Sequence, residues 1–309
     1  MQNKYNGIIN VYKEKGYTSH DVVAKLRGIL KQRKIGHTGT LDPEAEGVLP
    51  VTLGNATKLC ELLADKEKTY LAVMKLGVIS DTEDMTGNIE VVTDENKIKL
   101  IDDEIIKDTI NSFLGEYEQT PPMYSALKVD GKKLYELARE GKVIERKKRK
   151  ISILDIDVKC IDKPYVTFSV TCSKGTYVRS LCRDIGEKLK CGGCMESLVR
   201  TRVSNFKLED AYKLSDIEEM VKSNKDDFMT SIEDMLSIYK SITVNSNYDK
   251  LVLNGNKLLI KDLYQDKVIS EETKLKDSKD IFRIYSSQNT LVGLYSVSDE
   301  YLKPLKMFT

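Results

Sequence analysis

The run GHTGTLDPEAEGVLPVTLGNATK, from Gly36 to Lys58, constrains this chain more than any other segment. It sets Asp42 between a glycine-rich approach and Pro43, and the proline biases the residue before it toward extended geometry. Gly36, Gly39 and Gly47 supply turn conformations, or room for close backbone approach, that a Cβ resists. The segment therefore reads as a shaped loop presenting one carboxylate, with His37 just upstream. An isolated Leu-Asp-Pro would be an ordinary tight turn. Fifteen specified positions in a row, Gly36 to Pro50, argue for a site.

The rest of the chain reads as an α+β fold. A length of 309 residues is long for one core and comfortable for two domains. Ile8–Tyr12, Tyr70–Leu76 and Val166–Thr171 are apolar or alternating and predict strands. Asp21–Lys31 predicts a helix with Val22, Val23, Leu26, Ile29 and Leu30 on one face and Thr18 or Ser19 as its cap. After Gly175, Val178, Leu181, Cys182, Ile185 and Leu189 recur at helical spacing. That spacing predicts a helix with Arg179 and Arg183 off the buried face, and places Tyr177 and Arg179 where a strand turns into a helix. Sheet with helices at its side is α+β rather than a regular βαβ series. A break in the acidic stretch between about Lys225 and Lys240 divides the chain into 1–236 and 237–309. The second part shows strand-like runs at Phe282–Tyr285, Leu291–Val297 and Leu302–Phe308, and a tight-turn signal at Asn254-Gly255.

Composition excludes several classes. With 40% hydrophobic and 31% charged residues the chain is of soluble globular type. No apolar run approaches membrane-spanning length, and MQNKYNGIINVY has no signal-peptide pattern, so the expectation is cytoplasmic. There is no Walker loop, no convincing dinucleotide fingerprint and no metal-ligand cluster. Cys191-Gly192-Gly193-Cys194 lacks the second ligand pair that a zinc site wants, since Cys182 is the nearest other thiol and His20 and His37 lie far upstream. In Asp81–Gly87, Met85 and Thr86 hold the fifth and sixth places of a would-be calcium loop, so a turn is the better reading. Net charge is only +1, but its distribution is uneven. Lys128–Lys150 carries ten bases against four acids, and Glu209–Leu236 three bases against nine acids. That asymmetry suits one phosphate-facing surface and one solvated acidic face.

Gly36–Pro50 resembles the catalytic motif of the TruB family, the bacterial tRNA pseudouridine synthases acting on the T-loop uridine. Lys68-Thr69-Tyr70, Ser80–Asp84 with Gly87, Pro121–Lys128 with Gly131, Tyr135 and Arg139, and Cys172–Arg179 resemble the family's further blocks, in family order. The chain departs from the family where Lys13-Glu14-Lys15-Gly16 stands in place of a Lys-Pro pair. The resemblance implies a mixed antiparallel sheet flanked by helices, an RNA-binding insertion at about 117–150, and a small β-rich PUA-like domain at 237–309. It implies isomerisation of uridine to pseudouridine in the T loop of tRNA, which oxidises nothing and needs no cofactor or metal. It also implies a monomer without guide RNA or obligate protein partner. The alternatives are a non-catalytic RNA-binding or RNA-folding protein and a guide-dependent synthase of the archaeal and eukaryotic branch.

Residue by residue, the resemblance assigns Asp42 as the catalytic carboxylate, with Arg179 holding it charged and oriented. Tyr70 is the ring that stacks on the extracted base, and the resemblance also counts it among the catalytic residues, as an aid to late proton removal from C5. Tyr177 and Leu198 line the pocket, and His37 supports the flipped-out nucleotide. Lys128, Lys132, Lys133, Arg139, Arg146, Lys147, Lys148, Arg149 and Lys150 are expected to meet RNA. Whether Asp42 attacks C1′, attacks C6 or acts as a base stays open. Glycosidases use two carboxylates, and here Glu44 and Glu46 have no evident catalytic role. Lys58 either meets phosphate or orders its loop.

Overall fold

The computed structural model describes residues 4–129, 131–269 and 280–309. Its larger sheet has ten strands, eight of them in the order Met229–Ser231, Gly7–Lys13, Glu46–Leu53, Gly193–Val203, Lys68–Leu76, Tyr165–Cys172, Arg149–Asp162, Gly115–Gln119. Ile35–His37 adds to Glu46–Leu53, and Phe206–Lys207 to Gly193–Val203. One pairing in this sheet is parallel, Glu46–Leu53 against Gly193–Val203, over the two residue pairs Glu46–Val199 and Gly47–Arg200. The helix Val178–Lys188 packs on Gly193–Val203, while Ser19–Leu30 and Leu214–Lys222 pack on each other. The fold is α+β, as the periodicities predict.

Thr18 caps the first helix through a capping box with Asp21, so that helix begins at Ser19, two residues ahead of the expected start at Asp21. The Val178–Lys188 helix differs from its reading. Arg179, Ser180 and Gly186 are buried along with Val178, Leu181, Cys182 and Ile185. A helix wedged between the sheet and the 117–150 segment has no solvent face for Arg179, whose charge is instead satisfied internally. The stretch 225–240 is also more than a linker. Met229–Ser231 pairs with Gly7–Lys13, and Phe228 and Leu236 are buried.

A second sheet runs Lys240–Thr243, Ile281–Tyr285, Leu291–Ser298, Tyr301–Met307, Leu258–Leu259. Its own core includes Ile242, Val252, Leu263, Ile284, Tyr295 and Leu302. Asn254-Gly255 forms the expected turn, and it closes the helix Ser246–Leu253, where glycine with positive φ suits a helix C-terminus. Ile8, Val48 and Leu59 meet Tyr285, Leu294 and Phe308 in one apolar cluster, which seats the second sheet against the first.

Cys191 and Cys194 bracket the tight connection from the Val178–Lys188 helix to the Gly193–Val203 strand, where a Cβ on Gly193 would lie 2.6 Å from the Cys182 carbonyl oxygen. Burial raises the Cys191 thiol and pushes Cys194 up to about 12. The pair packs a turn. Among the described residues no helix is long and apolar enough to cross a membrane.

Candidate active site

The Asp42 loop hangs between the first strand, the first helix and the Glu46–Leu53 strand. Leu41 N–H donates to Ser19 Oγ at 2.9 Å, which fixes the residue before the carboxylate. Ala45 N–H donates to Asp42 O at 3.1 Å and closes the turn that Pro43 initiates. The Pro43 carbonyl accepts from Gly16 N–H at 2.9 Å and from Lys13 Nζ at 3.0 Å. Glu44 reaches Lys15 at 3.4 Å, and Glu46 accepts from Tyr12 Oη at 3.1 Å, so both neighbouring acids are engaged elsewhere.

Arg179 supplies the counter-charge. Its Nε lies 2.9 Å from Asp42 Oδ2, with the arginine 5% exposed and the Asp42 side chain 39% exposed. The remaining donors are spoken for. Nη1 donates to Thr82 O at 3.0 Å and lies 3.6 Å from Asp84 Oδ2, and Nη2 donates to Tyr124 O at 2.9 Å. All three guanidinium nitrogens have partners, so the cation beside Asp42 is fixed in place while the carboxylate stays partly exposed.

The sheet brings Tyr70 and Leu198 to the same place. Tyr70 and Leu198 share a core cluster with Leu41 and Ala45 from the loop. Burial raises the Tyr70 phenol, with Arg200 pulling the other way, so its ring is a neutral aromatic surface at neutral pH. Tyr177 starts the Val178–Lys188 helix, and Gln119 holds its backbone twice, accepting from Tyr177 N–H at 2.9 Å and donating to its carbonyl at 3.0 Å. Burial raises the Tyr177 phenol as well. His37 is half-buried and packs edge-on against His20 at 5.4 Å. Its Nδ1 is buried with no partner among the described residues, and burial lowers the imidazole pKa, leaving a neutral ring beside the loop.

Arg200 and Lys13 were not singled out from sequence. Arg200, 1% exposed, lies opposite both Gly47 and Tyr70 in the sheet. Its Nε donates to Val48 O at 2.7 Å and its Nη2 to Gly39 O at 3.2 Å, tying the two arms of the loop to the central strand. The available signal was period two from Leu198, since both side chains are buried on one strand. Lys13 is fully buried and donates to the carbonyls of Glu14, Tyr17 and Pro43. Burial pulls its pKa down to about 8 against the attraction of Asp42. The folded state therefore sheds this proton before the unfolded state does, and charged Lys13 weighs against the fold below that pKa. Wild type gains stability relative to Lys13→Met between about pH 8 and 10, by at most about 1.4 kcal/mol per pH unit. Denaturation of both proteins across that window checks it, and a pH-independent difference would discard it.

The 117–150 segment folds as a small hairpin, Lys128–Val129 with Lys132–Lys133, followed by the helix Leu134–Arg139. Lys128, Lys132, Arg139 and Lys147–Lys150 are exposed, and Lys133 is partly so. Lys133 and Arg139 lie 5.3 and 5.5 Å from the Tyr135 ring centroid. Arg146 differs from its neighbours, turning inward to donate to Pro121 O at 3.0 Å. Lys58 Nζ reaches Thr309 O at 3.4 Å, placing it at the joint with the chain's end.

Comparison with known proteins fits this geometry. Residues 27–178 match the TruB family pseudouridylate synthase N-terminal domain, and residues 179–253 the tRNA pseudouridylate synthase B C-terminal domain. The chain is 49% identical over 314 residues to a tRNA pseudouridine synthase B of Lachnoclostridium phytofermentans, covering 98% of this chain and 99% of the relative. It is 45% identical over 305 residues to that of Clostridium kluyveri, with the same coverage. Among solved structures, a chain of a Cbf5-Nop10-Gar1 complex superposes with a TM-score of 0.70 at 26% identity, over 98% of this chain and 85% of that one.

Proposed function

Since the chain belongs to the TruB family of pseudouridylate synthases, we propose that it isomerises a T-loop uridine of tRNA with Asp42 as the catalytic carboxylate. The observation that carries this reading is the half-open Asp42 clamped by a buried arginine, with an aromatic ring and a leucine in the same cluster. The C1′–N1 bond breaks, the uracil turns, C5 bonds to C1′, and the C5 hydrogen leaves as a proton while N1 gains one. A uridine inside a folded loop must first leave its stack. Tyr70 then offers a face for the base, Tyr177 and Leu198 flank it, and His37 supports the extruded nucleotide. Asp42 faces the ribose or the base from the loop, and Arg179 orients it in the charged form. A site that excludes water keeps the detached uracil for re-attachment.

The enzyme works alone on its tRNA, as a cytoplasmic monomer, in this reading. The basic face of 117–150 grips the T arm, and the 237–309 part serves as a PUA-like RNA-binding domain. Tritium release from C5-labelled uridine in a T-arm stem-loop tests the reaction. Wild type releases label, and no release from stem-loop or full tRNA would leave only RNA binding. The double variant Lys147→Ala with Lys148→Ala weakens stem-loop binding without changing the turnover of bound RNA. It lowers the slope of log affinity against log salt by roughly 1–2, as lost phosphate contacts should. An unchanged slope would move the RNA surface elsewhere.

A further inference from the structure

Between Thr82 and Asp84, both of which hold Arg179, stands a residue whose side chain points the other way. Glu83 has φ +63°, a left-handed conformation rare for a glutamate, and is 7% exposed. Its backbone is pinned at both ends, with its N–H donating to Ser80 O at 3.1 Å and its carbonyl accepting from Met195 N–H at 3.2 Å. Its carboxylate accepts from Ser180 Oγ at 2.5 Å on one oxygen and from Arg183 Nη1 on the other, with Arg146 Nη1 3.9 Å away.

Those two arginines converge on the entry of the 117–150 segment, and one of them comes from its exit. Arg183 Nη2 donates to Thr120 O at 3.1 Å, and Arg146, near the segment's exit, donates to Pro121 O at 3.0 Å at its entry. Gln119, one residue earlier, holds Tyr177, and Tyr124, a little later, gives its carbonyl to Arg179. One buried carboxylate thus faces both arginines that seat the segment, sharing Arg183 with Asp184, while its own backbone neighbours brace the arginine on Asp42. Left-handed backbone at Glu83 is what lets adjacent residues serve opposite sides.

We propose that Glu83 is a positioning residue that locks the base of the RNA-gripping segment to the Arg179–Asp42 pair. Seating of the segment on RNA and alignment of the carboxylate then become one event. Asp42 performs the chemistry, and Glu83 acts on it through Thr82, Asp84 and Arg179. The inference rests on the synthase reading given above.

The test is single-turnover pseudouridine formation on a T-arm stem-loop, with RNA affinity and melting temperature measured on the same proteins. Wild type is assayed alongside, so an inactive wild type sinks the synthase reading and leaves this one without a reaction to position. Glu83→Gln keeps the size and the Ser180 contact but removes the Glu83 anion from Arg183, which stays paired with Asp184 at 2.6 Å. It is expected to slow the bound-state step on the order of tenfold to a hundredfold, the scale of a small misplacement of a reacting group, while affinity changes by less than about threefold. A lower melting temperature alone would also follow from a fold-keeping role. Asp184→Asn removes the other anion on Arg183 without touching Thr82, Asp84 or Arg179, and is expected to lower the melting temperature while the rate stays near wild type. Slowing by Asp184→Asn equal to that of Glu83→Gln would overturn the proposal. So would a wild-type rate for Glu83→Gln, or a loss confined to affinity.

Discussion

Asp42→Asn abolishes pseudouridine formation, by about four orders of magnitude or more, and leaves RNA binding in place. The size follows from what the substitution removes. Asparagine fills the same volume and can still accept from Arg179 Nε through its amide oxygen, so the loop geometry held by Ser19, Lys13 and Arg200 persists. An amide, however, neither attacks carbon nor accepts a proton at neutral pH. General acid–base groups are worth about 10²- to 10⁴-fold, and loss of a covalent nucleophile costs about 10⁶-fold elsewhere. Neighbouring acids offer no substitute, because Glu44 pairs with Lys15 and Glu46 accepts from Tyr12. The measurement is the single-turnover rate on a T-arm stem-loop beside the dissociation constant for the same RNA. Equal turnover by both proteins would remove Asp42 from the chemistry. A rate loss matched by lost binding would make it a docking residue.

Part of this site was legible in the sequence for a physical reason: glycine and proline announce the loop that presents Asp42. Tyr70, Tyr177 and Arg179 come instead from the resemblance to the family's blocks. The resemblance also implies the pairing of Arg179 with Asp42, and their 2.9 Å contact agrees with it. The burial of Arg179 did not follow, because helical spacing reports one apolar face and says nothing of a second layer packed over the helix. Arg200 and Lys13 stayed hidden because an unpaired buried cation is a rare use of either residue, and a rare use carries no pattern. Each is satisfied by backbone carbonyls of the loop, contacts that exist only after the strands have assembled. Asn254-Gly255 is the turn that the dipeptide signals, and it ends a helix. Local chemistry names the turn, and only tertiary packing decides what it joins.

Gly47→Ala carries the largest expected structural effect of any single methyl group in the site. Gly47 has φ +103°, beyond the left-handed region that other residues tolerate, which alone costs about 1–3 kcal/mol. The added Cβ would lie 2.3 Å from Arg200 O and 3.0 Å from Arg200 C and N, all backbone atoms of the adjoining strand. No rotamer relieves a clash with backbone, so the strands must part, at a further cost of about 1–3 kcal/mol. They part at the parallel pairing, which spans only two residue pairs and from which Arg200 reaches Val48 and Gly39. The unfolding free energy should fall by about 2–6 kcal/mol by denaturant titration. The single-turnover rate should fall at least about tenfold even well below the melting temperature, because the loop carrying Asp42 shifts with its strand. Gly141→Ala is the control: φ is +73° but nothing lies within 4 Å of its Cβ, so about 1 kcal/mol is lost and the rate is unchanged. If Gly47→Ala folds and turns over as the control does, the strand joint does not set the position of Asp42. Equal stability loss in the two with activity lost only at Gly47 would instead mean that the strands yield easily and the loop does not.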